Sequence, residues 1–395
     1  MAASPSTARA LNDRLALRLL QEEGPLTAPQ LKRLTGLSRP TVADLVERLT
    51  AAGLVRVVGE AGEQRRGPNA KLYGIVAERA HLAALDVRTE GVRVTVSDLL
   101  GRVLTEAAVP IGGDTGTGPA VEQAVALVER AVKEAGADRL HTVGIGAPGL
   151  IDPAAGELRD TTKLPEWHRR LVAALQERLP EARVTVENET NLAALAEQRE
   201  GVARDRDTFV LLWLGGGTGA AVVLDGVLRR GASGGTGEIG FLPVPGTHSL
   251  PSATDCGGGF HSLAGAQAVE LLAAEHGLTA EAGPEELSAA TLVRAALGPD
   301  SAPGAGFLDA LADRVAIGVA SVAAVLDPGC VVLGGEVGQA GGEALAHRVE
   351  ERIRRMSPLE TEVRASALGG GAVLRGALLT ARDRAQDELF APPER

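Results

Sequence analysis

Hydroxyl and guanidinium side chains are grouped in two places near the N-terminus. The first group lies along one predicted helix, mostly at its start, and the second is an Arg-Arg pair in a later turn. Guanidinium groups bind phosphates and base edges, and hydroxyl groups bind both. The residues predicted to contact double-stranded DNA are Ser38, Arg39, Thr41, Arg48, Arg65 and Arg66.

Three helices are predicted to position the first group. Leu11, Leu15 and Leu19 recur at helical intervals and predict the first helix. Thr27 and Gln30 form the pattern of a capping box at the start of the second. The remaining signals are Leu31 and Leu34 as the buried face of the second helix, Ser38 as the cap of the third, and Val42, Leu45, Val46 and Leu49 as its apolar stripe.

A hairpin is predicted to follow the third helix. The strand-like runs 54–58 and 71–75 flank a glycine-containing turn, and this turn carries Arg65 and Arg66. Helix, short turn, helix and hairpin together predict a winged helix-turn-helix over residues 1–76, with its second and third helices as the helix-turn-helix pair. The alternative is a three-helix protein-interaction module with solvated charged faces, and the basic hairpin favours DNA over it.

The distribution of charge agrees with a DNA-binding head. The 395 residues carry a net charge of −11, but residues 1–75 contain 11 Lys and Arg against 7 Asp and Glu. A basic head on an acidic body is expected when one domain meets phosphate and the other does not. Two cysteines, no signal-peptide pattern and no apolar run of membrane length predict a cytoplasmic, nucleoid-associated protein without membrane contact.

Strands and helices alternate after residue 76, and the pattern occurs twice. Runs 82–87, 91–97 and 103–109 predict a first strand series, and 210–214, 220–224 and 227–229 predict a second. A glycine loop, Gly215 to Gly219, lies in the second series; a tight strand connection and a phosphate cradle both explain it. The predicted fold class is α/β, with two similar lobes behind the head.

The order of the motifs resembles that of the ROK (repressor, open reading frame, kinase) family. The stretches that carry the resemblance are VGIGAPGLID at 143–152, LPEW at 164–167, VENETN at 186–191, GEIG at 237–240, LDP at 326–328, VVLGG at 331–335 and the glycine-rich segment that starts at 369. The resemblance implies an actin-like, ribonuclease-H-like sugar-kinase fold over residues 80–383, followed by a tail at 384–395. A winged helix in front is similar to the xylose-repressor-type members.

The resemblance also shows where this chain departs from the family's kinases. Those kinases carry an Asp followed by Gly-Gly-Thr, whereas residues 86–90 are Asp-Val-Arg-Thr-Glu, so Arg88 adds bulk and Glu90 repels phosphate. The catalytic base is the Asp of Glu-Asn-Asp in the family, and this position is Glu189 here. The extra methylene group of Glu displaces the carboxylate, which lowers the rate of proton transfer. We therefore expect no catalysis and no cofactor.

The sugar and zinc positions of the family are partly replaced. Asn188 and Glu238 match the family's sugar-binding positions and Glu189 is a conservative replacement of an Asp there, whereas Phe241 and Leu263 replace a His and a Glu. A sugar or sugar-derived effector and a more apolar or absent ligand both remain open. In the zinc motif only Cys256 clearly remains, and His261 stands at the position of the last cysteine. Two ligands do not close a structural zinc site, so no metal is predicted.

These features predict a transcriptional regulator, specifically a repressor of carbohydrate-related genes that acts as a homodimer or homotetramer. Two alternatives stay open. One is an active ATP-dependent sugar kinase with a fused DNA-binding domain. The other is a DNA-binding scaffold that senses no ligand.

Overall fold

The structure, a computed structural model, describes residues 5–61, 70–159, 164–247, 249–252, 257–283, 286–298 and 303–391. Arg65, Arg66 and Cys256 lie outside these residues. The head consists of α1 (Pro5–Glu22), β1 (Leu26–Thr27), α2 (Ala28–Thr35), α3 (Arg39–Ala51), β2 (Val55–Ala61) and β3 (Ala70–Ile75). The first lobe of the body consists of β4 (His81–Arg88), β5 (Gly91–Asp98), β6 (Val103–Pro110), α4 (Thr117–Glu134), β7 (Thr142–Ala147), α5 (Glu166–Arg178), β8 (Arg183–Asn188) and α6 (Glu189–Arg199).

The second lobe begins with a hairpin, as the first does. Its elements are β9 (Phe209–Leu214), β10 (Thr218–Leu224), β11 (Val227–Arg229), α7 (His261–Ala264), α8 (Ala266–Glu275), α9 (Ser288–Ala296), α10 (Gly304–Leu326), β12 (Cys330–Gly334), α11 (Gly335–Met356) and β13 (Glu362–Ala365). The last helix, α12 (Ala372–Leu389), follows a single 3₁₀ turn at Gly369–Gly371. Among the described residues, no helix has the combined length and apolarity that a membrane crossing requires.

Local side-chain hydrogen bonds begin the two helices of the helix-turn-helix. The Thr27 backbone N–H donates to Gln30 Oε1 at 2.8 Å, which completes the predicted capping box of α2. Ser38 caps α3 by accepting from the backbone N–H of Thr41. The head sheet places β3 between β1 and β2, so the hairpin packs beside the helices. The winged helix-turn-helix predicted from the sequence is confirmed.

The predicted apolar face is correct for α3 and partly wrong for α2. Val42, Leu45, Val46 and Leu49 are all buried in α3. In α2, Leu31 is buried but Leu34 is 41% exposed, because it lies in the last turn before the helix ends. In α1 the buried residues are Ala16, Leu17 and Leu20, while Leu11 and Leu15 are exposed. Helical spacing indicated the helix, but the partner surface decided which face is covered.

The two lobes share one sheet topology. The first sheet has the order β6-β5-β4-β7-β8 and the second β11-β10-β9-β12-β13. In each, an antiparallel hairpin is extended by two parallel strands, since β4 pairs in parallel with β7 and β9 with β12. Because these pairs are parallel, the carboxyl ends of β4 and β7 lie side by side, and so do the carboxyl ends of β9 and β12 in the other sheet. The repeated α/β lobes predicted from the sequence are confirmed.

Helix α12 connects the body to the head. The first half of the predicted tail at 384–395 is helical, since α12 continues to Leu389, and Ala385 and Phe390 are buried. Near its end, Gln386 Nε2 donates to the carbonyl oxygen of Leu99 at 3.0 Å, and Asp387 forms an ion pair with Arg14 of α1 at 2.8 Å. One continuous apolar cluster contains residues of both parts, including Leu17, Leu20, Leu82, Leu99 and Phe390.

Gly376 sets how closely α12 approaches α6. A Cβ at this position would lie 2.0 Å from the carbonyl oxygen of Leu192, which is backbone and cannot turn aside. We expect Gly376→Ala to lower the free energy of unfolding by about 2 kcal/mol, since overpacking typically costs about 1–3 kcal/mol. Gly118→Ala is the matched control, because a Cβ on Gly118 of α4 would meet no atom within 4 Å and alanine favours helix there. Denaturant unfolding measures both, and equal stability of the two variants would contradict the close approach.

Candidate DNA-binding face and inter-lobe cleft

The start of α3 presents the predicted base-reading residues to solvent. Ser38 and Arg39 are exposed and Thr41 is half-buried. The hydroxyl groups of Ser38 and Thr41 are hydrogen-bonded to each other at 2.8 Å, so both are held close to the helix start. A helix N-terminus with exposed polar side chains can enter the major groove. The roles of these residues in DNA binding stay predictions.

Arg48 is engaged inside the head. Its guanidinium donates to Asp13 Oδ1 of α1 at 2.6 Å and also to Asp44 of its own helix. Hydrogen bonding to Asp13 raises the pKa of Arg48. This geometry makes Arg48 a link between α1 and α3. Its predicted contact with DNA would have to compete with these two carboxylates.

The hairpin after α3 has the register of a wing. Strands β2 and β3 pair antiparallel from Val55 with Ile75 to Ala61 with Ala70. The predicted phosphate-binding pair Arg65 and Arg66 falls between these strands, outside the described residues. Arg56, in β2, forms an ion pair with Glu78 at 2.9 Å and is 52% exposed.

Arg88 fills the end of the cleft where the family's kinases have glycine. It follows the buried Asp86 at the end of β4, and its Nε donates to Asp86 Oδ2 at 2.9 Å. Its Nη1 donates to Glu336 Oε1 at 3.0 Å, and its Nη2 to the carbonyl oxygen of Gly370 at 3.3 Å. Burial raises the pKa of Asp86, while the Arg88 guanidinium opposes that effect. Arg88 therefore joins the first lobe to two elements beyond it.

Glu336 is a cleft residue that sequence reasoning missed. It lies in the first turn of α11, directly after the VVLGG motif. A Cβ on Gly215 would come within 2.4 Å of Glu336 Oε2, so the start of the glycine loop leaves room for this carboxylate. The sequence signal was an acidic residue immediately after a glycine pair, but nothing local indicated that it would face Arg88.

Asn188 and Glu189 meet at the start of α6. Asn188 Oδ1 accepts from the backbone N–H groups of Thr190 and Asn191, so Asn188 caps the helix. Its Nδ2 donates to the carbonyl oxygen of Gly149 at 3.0 Å and to Glu189 Oε2 at 3.2 Å. The amide is thus already satisfied by the protein.

The carboxyl group of Glu189 is placed among other acids. Burial is the main cause that raises its pKa to about 8, and the carboxylates of Asp86, Glu238 and Glu336 act in the same direction. Glu189 is therefore mostly protonated at neutral pH and acts there as a hydrogen-bond donor. This property follows from the surroundings of the residue and not from its motif.

Glu238 belongs to the same acidic group. Desolvation raises its pKa. Phe241, two residues beyond Ile239, is 38% exposed, and Leu263 is buried in α7. The structure therefore brings Glu189, Glu238 and Asp86 together, with Phe241 on the adjoining 3₁₀ turn. His261 begins α7, and no set of three metal-ligating side chains occurs among the described residues.

The arrangement of head and cleft has counterparts among known proteins. A model of the ROK family matches residues 82–384. The chain belongs to the ROK family. A MarR family model matches residues 11–67, the part of the chain that forms the helix-turn-helix and the first strand of the wing.

The curated relatives include repressors of this family. NagC of Escherichia coli (strain K12), a DNA-binding transcriptional dual regulator, is 28% identical over 244 residues, which are 59% of this chain and 57% of NagC. The alignment thus spans little more than half the length of this relative. The xylose repressor of Caldicellulosiruptor bescii is 23% identical over 360 residues, 88% of each chain.

Solved structures give the same picture of the fold. A ROK family transcriptional regulator, a homolog of the E. coli MLC protein, has a TM-score of 0.75 at 21% identity and covers 97% of this chain and 98% of its own. The ROK hexokinase from Thermus thermophilus has a TM-score of 0.61 at 30% identity and covers 78% of this chain and 99% of its own. The body is therefore kinase-like in fold, and the head with the body matches a regulator over nearly the whole length.

The raised pKa of Glu189 predicts a pH dependence of stability. Between the ordinary pKa of about 4.5 and the folded value of about 8, the folded state holds a proton that the unfolded state releases. Raising the pH through this window therefore lowers the free energy of unfolding. We expect Glu189→Gln to lose this dependence, so that the difference in the free energy of unfolding between wild type and variant changes by a value on the order of 4 kcal/mol between pH 5 and pH 9.

The control for this measurement is Glu134→Gln on the exposed end of α4. Denaturant midpoints at several pH values compare each variant with the wild type. A Glu189→Gln curve that falls with pH in parallel with the wild type would show that the carboxyl group ionises normally in the folded protein.

Proposed function

We propose that this protein is a DNA-binding transcriptional repressor of carbohydrate-related genes whose kinase-like body senses instead of reacting. The observation that carries the proposal is a winged helix-turn-helix seated on a ROK body in which Arg88 and Glu336 occupy the phosphate end of the cleft. Repressors among the relatives support it, including one aligned over most of both chains.

The chemistry of the cleft argues against phosphoryl transfer. A kinase needs backbone N–H groups around the phosphates and a carboxylate that accepts the proton of the sugar hydroxyl. Here Arg88 and Glu336 take the space, and Glu189 is mostly protonated at neutral pH. The kinase-like features that remain, the sheets and the glycine loop, then serve to hold the lobes together. We propose no catalytic residue, no cofactor and no metal.

The ligand of the cleft, in this proposal, is a sugar or a sugar-derived effector. The relatives include proteins named N-acetylglucosamine repressor and xylose repressor. Glu189 and Glu238 offer a donor and an acceptor to hydroxyl groups, while Asn188 positions Glu189. Phe241 next to these groups favours a ligand with an apolar face.

The domain division we propose is a head at 1–76 and an effector body at 80–383, assembled as a homodimer or homotetramer. Two heads related by a two-fold axis would bind the two halves of a pseudo-palindromic operator. A cavity of about 930 Å³ lies between the head and the body, lined in part by Arg56, Arg79 and His141. It gives the head room to change its angle when the lobes move.

Sugar kinase activity is the second candidate, favoured by the similarity of the body to the Thermus hexokinase. We expect ATP turnover with hexoses, pentoses and amino sugars to equal the reaction without protein. A coupled assay of released ADP measures it, with an active ROK hexokinase run in parallel as the control. Enzyme-like turnover with any of these sugars would overturn the assignment as a non-catalytic sensor.

The DNA-binding proposal is tested first by selecting genomic fragments that the purified protein retains at modest ionic strength. Retention of no fragment would refute the repressor. On a selected duplex, Arg65→Ala with Arg66→Ala should weaken binding and reduce the slope of log affinity against log salt by about 2, since each phosphate contact contributes about one. The matched control is Arg169→Ala with Arg170→Ala, an adjacent pair on α5 of the body. An unchanged slope in the wing variant would remove the wing from the interface.

A further inference from the structure

Arg88 makes more contacts than it would need simply to block a phosphate site. A side chain that merely blocked phosphate could point to solvent, but this guanidinium is bound on three sides by groups from β4, from α11 and from the turn before α12. Of these elements, α11 belongs to the second lobe, and the turn leads into α12, which packs on the first. We propose that Arg88 is an inter-lobe latch that takes the space of a phosphate, holds the cleft closed through Glu336 and excludes nucleotides and sugar phosphates.

The contact is partly buried, which makes it costly to separate its charges. The Asp86 side chain is 2% exposed and those of Arg88 and Glu336 are 21% and 28% exposed. Carboxylates that lose water require a paired cation, and separating the lobes would leave Glu336 without its cation, because Arg88 stays beside Asp86 on β4. The planar group of arginine reaches both acids and a carbonyl at fixed angles, which the single ammonium of lysine does not.

The latch also sets which ligands the cleft admits. An incoming phosphate would have to displace Asp86 or Glu336 from Arg88 and would meet Glu189 and Glu238 nearby. Neutral hydroxyl-rich ligands carry no such penalty, because they can bind Glu189 and Glu238 while Arg88 keeps its partners. Arg88 is thus a specificity-determining residue in favour of unphosphorylated ligands.

The third contact of Arg88 connects the latch to α12. Gly370 stands two residues before Ala372, the first residue of this helix, and the other end of α12 carries the ion pair with Arg14 of the head. A helix of 18 residues spans about 27 Å. Release of Arg88 would remove one contact at the start of a rigid helix whose other end supports the head. The part of the inference that concerns operator binding rests on the proposed function, but the latch itself does not.

Hydrogen–deuterium exchange of the full-length protein tests the latch without DNA, sugar or catalysis. In Arg88→Ala we expect peptides that cover 335–340 and 366–375 to exchange about tenfold faster or more, because the open cleft becomes populated. Arg102→Ala is the matched control, since Arg102 pairs with Asp98 at 3.2 Å within one lobe and is 73% exposed. Arg88→Lys should fall between the wild type and Arg88→Ala.

Glu336→Gln keeps the test decisive if Arg88→Ala fails to fold. It removes the charge that attracts Arg88 across the cleft and leaves the pair with Asp86 in place, so the same peptides should exchange faster by a smaller factor. Wild-type exchange in a folded Arg88→Ala or in Glu336→Gln would overturn the latch. Faster exchange at the cleft with no change at 383–390 would overturn its connection to α12. Neither outcome depends on whether the protein represses transcription.

Discussion

A carboxylate buried at the end of a central strand needs a positive partner, and Asp86 has Arg88. The pairing fixes the end of β4, and the remaining nitrogens of the guanidinium then reach Glu336 across the cleft and Gly370 in the turn before α12. The position that the family's kinases keep free for a ligand thus becomes a contact of the protein with itself. Two of the acids that raise the pKa of Glu189, Asp86 and Glu336, are the partners of this one arginine, and its third contact lies just before α12.

The acidic cleft and the basic head explain why the overall charge of the chain is uninformative. The protein carries a net charge of −11, yet the proposed DNA-binding face belongs to a small module whose charges are arranged separately. Within that module, Arg48 forms ion pairs with Asp13 and Asp44. Affinity for phosphate therefore has to come from residues that are not paired in this way, of which Arg39 is exposed at the start of α3.

Features decided by neighbouring residues could be predicted from the sequence. The capping box of Thr27 and Gln30, the cap at Ser38 and the strands of both lobes follow from local hydrogen bonds and apolar alternation. Features decided by distant residues could not. Leu11 and Leu15 have helical spacing but face solvent, because the partner surface covers Leu17 and Leu20 instead. Glu336 and Arg88 are 248 positions apart, and no local pattern indicates that they meet. The end of α12 resembled a tail because its few apolar residues find their partners in the head and the first lobe.

The contact between the head and α12 can form only after both of its parts have been translated. Arg14 and Asp387 are 373 positions apart, so Arg14 is translated well before Asp387. The helices of the head can form during synthesis, but the surface of α12 that they pack against exists only after α12 has been translated. A truncated chain that lacks α12 would contain the head without the surface that orients it. Translation of α12 is thus a precondition for a head held at a defined angle.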